Sequence, residues 1–335
     1  ENFLTFVDDN NRPTNGLLLG MVDGVNYYAK IGLNGYIIIG TEPDCSDEAI
    51  VQDILSSKDT TYKLNQDIVL YNYGELTYYG KVNAKKLTIK GDGYSTISTP
   101  NSIHGFLIEG TDKLKASKQQ IVGSNFDMKG FDGAFVNKGG KMTLTNVNFH
   151  DNETDNSGSV IQNYSGTVTL KGTKKKYAQV YSNLTTDNGA IYNEGTLTLQ
   201  YVNFGEKGGN VAYNGAALYN TGKSTVKNTT FVNNSADNNG GAIYTGGYSV
   251  YSSDTFTSNT AVNDGGAIYI NAEPDKKKAI TISKDNFYAN TANEGGAVYA
   301  EEGKITISSS NFGSATAAGN TATKGGAIYN ESSSL

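Results

Sequence analysis

The sequence predicts an all-β chain wound as a right-handed parallel β-helix, and three observations point there. Gly-Gly-Ala-Ile-Tyr or a close variant returns at Gly240–Tyr244, Gly265–Tyr269, Gly295–Tyr299 and Gly325–Tyr329, with looser copies at Asp132–Asn137, Gly158–Asn163, Asn188–Asn193 and Gly215–Asn220. A short apolar/Thr alternation ends five residues before a Phe, as in Met142-Thr143-Leu144 with Phe149, Leu197-Thr198-Leu199 with Phe204, and Ile280-Thr281-Ile282 with Phe287. An Asn follows the Phe by three at Asn152, Asn234, Asn259 and Asn290. The glycine motif recurs every 25 to 30 residues, a period that belongs to stacked supersecondary units and not to one globular core.

Each period reads as about three short strands separated by Gly, Asn, Asp and Ser. Alternation with period two is a strand with one buried face. The corners need positive backbone dihedrals or local side-chain hydrogen bonds. No window of the repeat region holds a capped helical pattern. Wound continuously, such strands pair with their equivalents one coil away, about 4.8 Å distant, and a crossover between parallel strands is right-handed. An isolated coil could not fold. Burying about four large apolar side chains contributes roughly 1.5–3 kcal/mol each, while ordering the backbone costs roughly 1–2 kcal/mol per residue.

Within the column of coils, Ile191, Leu218, Ile243, Ile268, Val298 and Ile328 are expected to form an inward aliphatic ladder. Two residues on, Asn137, Asn163, Asn193, Asn220 and Asn330 are expected to stack as an amide ladder. Ala and Tyr of the motif take the opposite face in this reading, and Gln162 in the tyrosine position favours an outward Tyr. The tyrosine column, Tyr192, Tyr219, Tyr244, Tyr269, Tyr299 and Tyr329, is therefore the candidate binding ladder for a sugar or a partner protein. The competing reading is a ladder that only stiffens the solenoid.

Along the chain, residues 1–44 form a separate β segment, 45–60 a capping helix or linker, and 61–335 the β-helix. Strands around Gly24–Lys30 and Leu33–Ile39, broken by Asp8-Asp9-Asn10-Asn11-Arg12-Pro13 and Leu33-Asn34-Gly35, read as antiparallel hairpins. They resemble part of a bacterial Ig-like surface repeat, or else serve as a β cap. Ser46 is a plausible N-cap for a short helix over 46–57, with carboxylates in its first turn. Such a helix would cover the open edge of the first coil. Lys171–Lys176 and Glu273–Lys278 read as solvated turns between strands. Beginning at Glu1, the chain is expected to be a processed form. Ending at Leu335 in mid-coil, it is expected to continue or to be covered by another subunit.

Composition narrows the function. Among 335 residues the net charge is −6, which does not suit nucleic acid. One cysteine, Cys45, excludes an intrachain disulfide. No apolar run is long enough to span a membrane as a helix. Scarce Arg, Cys and Met with abundant Asn, Thr, Gly and Tyr suit a secreted, extracellular surface protein.

The recurrent GGA[I/V/L] with F-x-x-N, as in Phe231–Asn234, Phe256–Asn259 and Phe287–Asn290, resembles the polymorphic outer membrane protein repeat. It is also similar to adhesin-like β-helix proteins of bacteria and methanogenic archaea. The resemblance covers 130–335 well and 60–130 weakly. It implies an autotransporter-like adhesin or a cell-envelope protein, though the translocating barrel is not in this chain, and it specifies no receptor.

Catalysis finds little support in the residues. Asp127/Asp132 and Asp151/Asp155 are carboxylate pairs in turns, where glycoside hydrolysis needs two carboxylates flanking the bond. A pectate-type lyase would want a basic Arg, and Arg12 lies outside the solenoid. His104 and His150 look isolated. The residues after the paired glycines offer no calcium ligand. Asn152, Asn163, Asn183 and Asn228 stand in glycosylation triplets. Three functions follow: a non-catalytic adhesin or stalk that meets a surface protein or glycan of a host or neighbouring cell; a fibre subunit that self-associates end to end; or a polysaccharide lyase or hydrolase. No cofactor or metal is expected.

Overall fold

The computed structural model describes residues 17–22, 25–31, 37–40, 61–65, 67–70, 78–99, 103–272, 279–313 and 317–335. The helix expected over 46–57 lies outside these residues. Leu17–Val22, Val25–Ile31 and Ile37–Gly40 pair as a three-stranded antiparallel sheet.

From Thr61 onward the named strands pair in parallel, coil on coil, as a β-solenoid. One coil shows the plan. Ile243–Thr245 carries the end of the glycine motif, Ser249–Ser252 the alternating run, Thr255–Thr257 the Phe, and Thr260–Ala261 the stretch after the Asn. The three expected strands are thus joined by a fourth of two residues. The first two ladders share an 18-stranded sheet, because Phe135–Thr145 and Ile161–Lys171 run through both. The Phe ladder is a ten-stranded sheet and the short strands a five-stranded one.

The corners explain the repeated glycines. The first Gly of each motif has positive φ, +68° at both Gly240 and Gly265, where the chain turns into the first ladder. A Cβ on Gly265 would lie 2.4 Å from the Ile268 carbonyl oxygen, so only glycine fits. The corner before the Phe strand uses non-glycine residues in the left-handed region: Asn125, Asn146, Tyr201, Asn228, Ser253 and Lys284. Asn tolerates it best.

Register confirms the interior. Ile161, Ile191, Leu218, Ile243, Ile268, Val298 and Ile328 are successive partners. All are fully buried except Ile328, which is half-buried against the core. Phe204, Phe231, Phe256, Phe287 and Phe312 stack inside with centroids 4.7–5.0 Å apart and rings within 4° of parallel. One expectation is corrected. Ala134, Ala190, Ala217, Ala242, Ala267 and Ala297 are core residues and do not share the tyrosine face. The strands begin at the Ile. Two-residue alternation therefore does not reach back through the glycine turn, and the corner points Ala inward too.

Two amide columns line the corners. Nδ2 of Asn137 donates to Asn163 Oδ1 at 2.9 Å, and the relay continues through Asn193 to Asn220 at 2.6 Å per step. Asn220 then meets the hydroxyls of Thr245 and Ser249. Asn330 stands apart: it is exposed and bonds Ser333. The second column runs Asn152, Asn183, Asn210, Asn234, Asn259, Asn290, Asn320 with steps of 2.8–2.9 Å. Each of these amides also donates to a carbonyl at the Phe position of the preceding coil, such as Asn259 to Phe231 at 2.9 Å. Buried amides without partners would cost roughly 1–3 kcal/mol each, and the stack satisfies them.

Candidate functional site

The tyrosine column lies on the outer side of the glycine-motif strands. Because the strands are in register, Tyr192, Tyr219, Tyr244, Tyr269, Tyr299 and Tyr329 stack with centroids 4.6–5.7 Å apart. Successive rings lie within 29° of parallel. Their faces therefore contact one another, and ring edges and hydroxyls form the outer strip. That alters the chemistry expected from sequence: the inner rings of the column offer no open face on which a sugar could lie. Tyr269 and Tyr299 are only 6% exposed, whereas Tyr192, Tyr219, Tyr244 and Tyr329 are half-buried. Tyr164, outside the expected set, adds an exposed ring 5.9 Å from Tyr192. The accessible strip is thus centred on Tyr192, Tyr219 and Tyr244.

Carboxylates border the strip. The Tyr192 hydroxyl donates to Glu194 at 2.6 Å and that of Tyr299 to Glu331 at 2.7 Å; Tyr269 donates to Glu301. Burial pushes the Tyr244 phenol up to about 12, assisted by Tyr219 and Glu301. Burial and the carboxylate acceptors raise Tyr192, Tyr269 and Tyr299 further. The hydroxyls remain protonated donors at neutral pH. Burial also raises Asp264, as do Glu294, Glu331 and Glu301 nearby. With the Tyr192, Tyr269 and Tyr299 protons given to the carboxylates in hydrogen bonds, the strip can accept hydrogen bonds at its phenol oxygens and attract cationic groups through its acids.

On the preceding coils this outer side is covered. Leu107, Val136 and Gln162, which occupy the same register as Tyr192, are buried. The turn Ala116–Lys118 packs on the strand Phe135–Thr145. Buried Gln119 anchors that excursion, donating to the Val82 carbonyl at 2.5 Å and accepting from Gly110 N–H at 2.8 Å.

The histidines are not isolated. His150 Nδ1 lies 3.0 Å from Asp151 and Nε2 lies 3.9 Å from Asp127, while its ring stacks on Tyr181 at 5.1 Å. Lys129 reaches Asp151 at 3.5 Å and Lys207 sits 5.2 Å over Tyr181. Parallel register assembled this group: Lys129, His150 and Tyr181 are partners on successive coils. Sequence spacing hid it, because the coils differ in length. His104 lies 3.8 Å from Asp132. With both ring nitrogens facing carboxylates, His150 clasps coils together.

Three of the four glycosylation triplets are closed. Asn152, Asn163 and Asn183 are buried members of the amide columns; Asn228 is half-buried at a corner. Among the described residues no group of His, Cys, Asp and Glu has metal-site geometry, and no helix is long and apolar enough to cross a membrane.

Residues 228–246 and 255–271 match the Chlamydia polymorphic membrane protein repeat. The two matches fall on successive coils, each spanning a Phe and a Gly-Gly-Ala-Ile-Tyr. The chain matches no curated protein and no solved structure. Repeat and solenoid together support a likeness to polymorphic outer membrane protein β-helices and fit a surface adhesin-like protein.

Proposed function

We propose that this chain, two stretches of which match the polymorphic membrane protein repeat, is a non-catalytic adhesin held outside the cell on a stiff solenoid. The observation that carries the reading is the strip of Tyr192, Tyr219 and Tyr244, in which partly exposed phenol edges in a rigid register lie beside Glu194. Aromatic groups already fixed by stacking lose little entropy on binding, which favours their use as contacts. The partner is a protein or glycan on another cell surface.

The test is binding of the purified chain to a panel of cells and arrayed glycans. The triple variant Tyr192→Ser/Tyr219→Ser/Tyr244→Ser should lose binding while keeping its β circular-dichroism spectrum. Unchanged binding by that folded variant would remove the strip from consideration. Depolymerisation of a polysaccharide that is abolished by His150→Ala would replace the adhesin reading with an enzymatic one.

A further inference from the structure

The strands that follow the glycine motif, from Thr61–Leu64 through Lys304–Ser308, turn three columns of side chains outward. The central column is hydroxylic: Thr143, Thr169, Thr198 and Thr225 are partners in line, with the isosteric Val122 and Val250 in two coils. Lysines flank it. One side carries Lys86, Lys141, Lys223 and Lys304, and the other Lys63, Lys90, Lys171 and Lys227. All are exposed except Lys171, which is half-buried. Among the described residues no Asp or Glu occupies an outward position of these strands. The face is cationic although the chain as a whole carries −6. Carboxylates stand instead at the corner that precedes these strands, at Glu194, Glu301 and Glu331 beside the tyrosine column.

We propose that this lysine–threonine face binds an extended anionic polysaccharide lying along the solenoid axis. The proposal is independent of the tyrosine strip. Within each flanking column the lysines recur mostly every two or three coils, roughly 10–14 Å at the coil rise. That spacing suits a chain bearing a carboxylate or sulfate on each disaccharide. The Thr, Ser and Gln side chains between the lysines donate and accept hydrogen bonds, as sugar hydroxyls require. Nucleic acid suits the face less. The exposed ring beside the lysine columns, Tyr248, is engaged by Lys223, whose Nζ lies 5.4 Å from its centroid. Among the described residues no further ring stands at an outward position of these strands to continue a base stack, and the cations are all Lys, point charges without the bidentate fork of Arg.

Binding of heparin and of polygalacturonate is measured by titration at low and at physiological salt. Dextran serves as the neutral glycan and a single-stranded oligothymidylate as the polyanion without sugar hydroxyl chemistry. The intact chain should bind at least one acidic glycan in a salt-sensitive manner and should not bind dextran. The variant Lys90→Gln/Lys141→Gln/Lys171→Gln/Lys227→Gln should weaken that binding at least tenfold. Lys113→Gln/Lys115→Gln/Lys118→Gln/Lys174→Gln removes the same charge from exposed sites elsewhere and should change it less than twofold. A third variant, Thr169→Glu/Thr198→Glu, keeps every lysine and should also abolish binding; thermal melts check that each variant is folded. Failure of both acidic glycans to bind overturns the proposal. Equal losses from the two lysine sets, or oligothymidylate binding as tightly as the glycans, overturns it as well.

Discussion

The backbone N–H of Asp254 donates to the Asp285 carboxylate on the next coil at 2.7 Å, and both side chains are fully buried. Asp254 also accepts from Thr229 N–H at 2.8 Å and Ser252 N–H at 2.9 Å. Among the described residues neither carboxylate forms an ion pair with a cation. Burial pushes Asp285 up to about 7, and burial together with Asp285 raises Asp254 well above the usual carboxylate range. The folded state therefore holds protons that the unfolded chain releases near pH 4. The associated stability is full below about pH 4 and is lost as pH rises through about 7. Melting temperature should fall between pH 5 and pH 8. Asp254→Thr/Asp285→Ser copies the residues at this place in the flanking coils, Thr229 and Ser310, and should flatten that slope. A wild-type melting temperature that is level over this range would contradict the assignment.

Removing one amide from the second asparagine column should be costly. Asn259→Ala strips acceptors from the Asn234 backbone and side chain and a donor from the Phe231 carbonyl. The expected loss is about 3 kcal/mol in urea unfolding. Asn263→Ala removes an exposed amide that bonds Asn238 and should cost under about 0.5 kcal/mol. Similar losses would show that the buried relay is not special.

Corner geometry predicts opposite signs for two substitutions. Gly265→Ala places a Cβ against the Ile268 carbonyl at φ +68° and should destabilise by about 1–3 kcal/mol. Lys284→Gly relieves a non-glycine residue at φ +61° and should be neutral or stabilising by up to about 1 kcal/mol. Differential scanning calorimetry reads both.

Ile268→Asp buries an unpaired charge in the aliphatic ladder and should abolish cooperative melting of the neighbouring coils. Tyr269→Ser is milder but not silent, because Tyr269 is buried between Tyr244 and Tyr299 and bonds Glu301. Tyr192→Ser, nearer the surface, should cost less than Tyr269→Ser. If Tyr192→Ser costs more, burial does not govern the column.

Phenolate formation followed by ultraviolet difference absorption gives a further check. Tyr192, Tyr244, Tyr269 and Tyr299 should resist ionisation to pH 11 in the folded chain and titrate together once it unfolds. A full complement of ionised tyrosines at pH 10.5 with the β signal intact would contradict the stacked column.

Much of the solenoid was legible in the sequence, because coil stacking repeats the same demand in every period. The glycine turn, the Ile after it and the Phe further on each keep their spacing, so alignment of the copies gave the ladders. Members that deviate were hidden. Asn183 follows Val180 and not a Phe, and Asn210 comes late because Gly205–Gly209 bulges from the corner. The inward Ala, the group around His150 and the lysine face depend on how a corner turns or on which coils are adjacent. Neither follows from periodicity within one coil. The tyrosine stack was foreseen as a column but not as one whose rings cover each other.

Excursions such as Thr111–Lys118 and Gly205–Gly209 leave the path at corners, while residues in the ladders on either side remain partnered. Reach is consequently a quantised property of this molecule. Excising one whole turn, for example residues 240–264, would bring Asn239 to Gly265 with the backbone ladders still in register and shorten the rod by about 4.8 Å. Deleting a few residues within a strand would instead throw all later rungs out of phase. The length at which the protein presents its surfaces is thereby adjustable by duplication or loss of single turns.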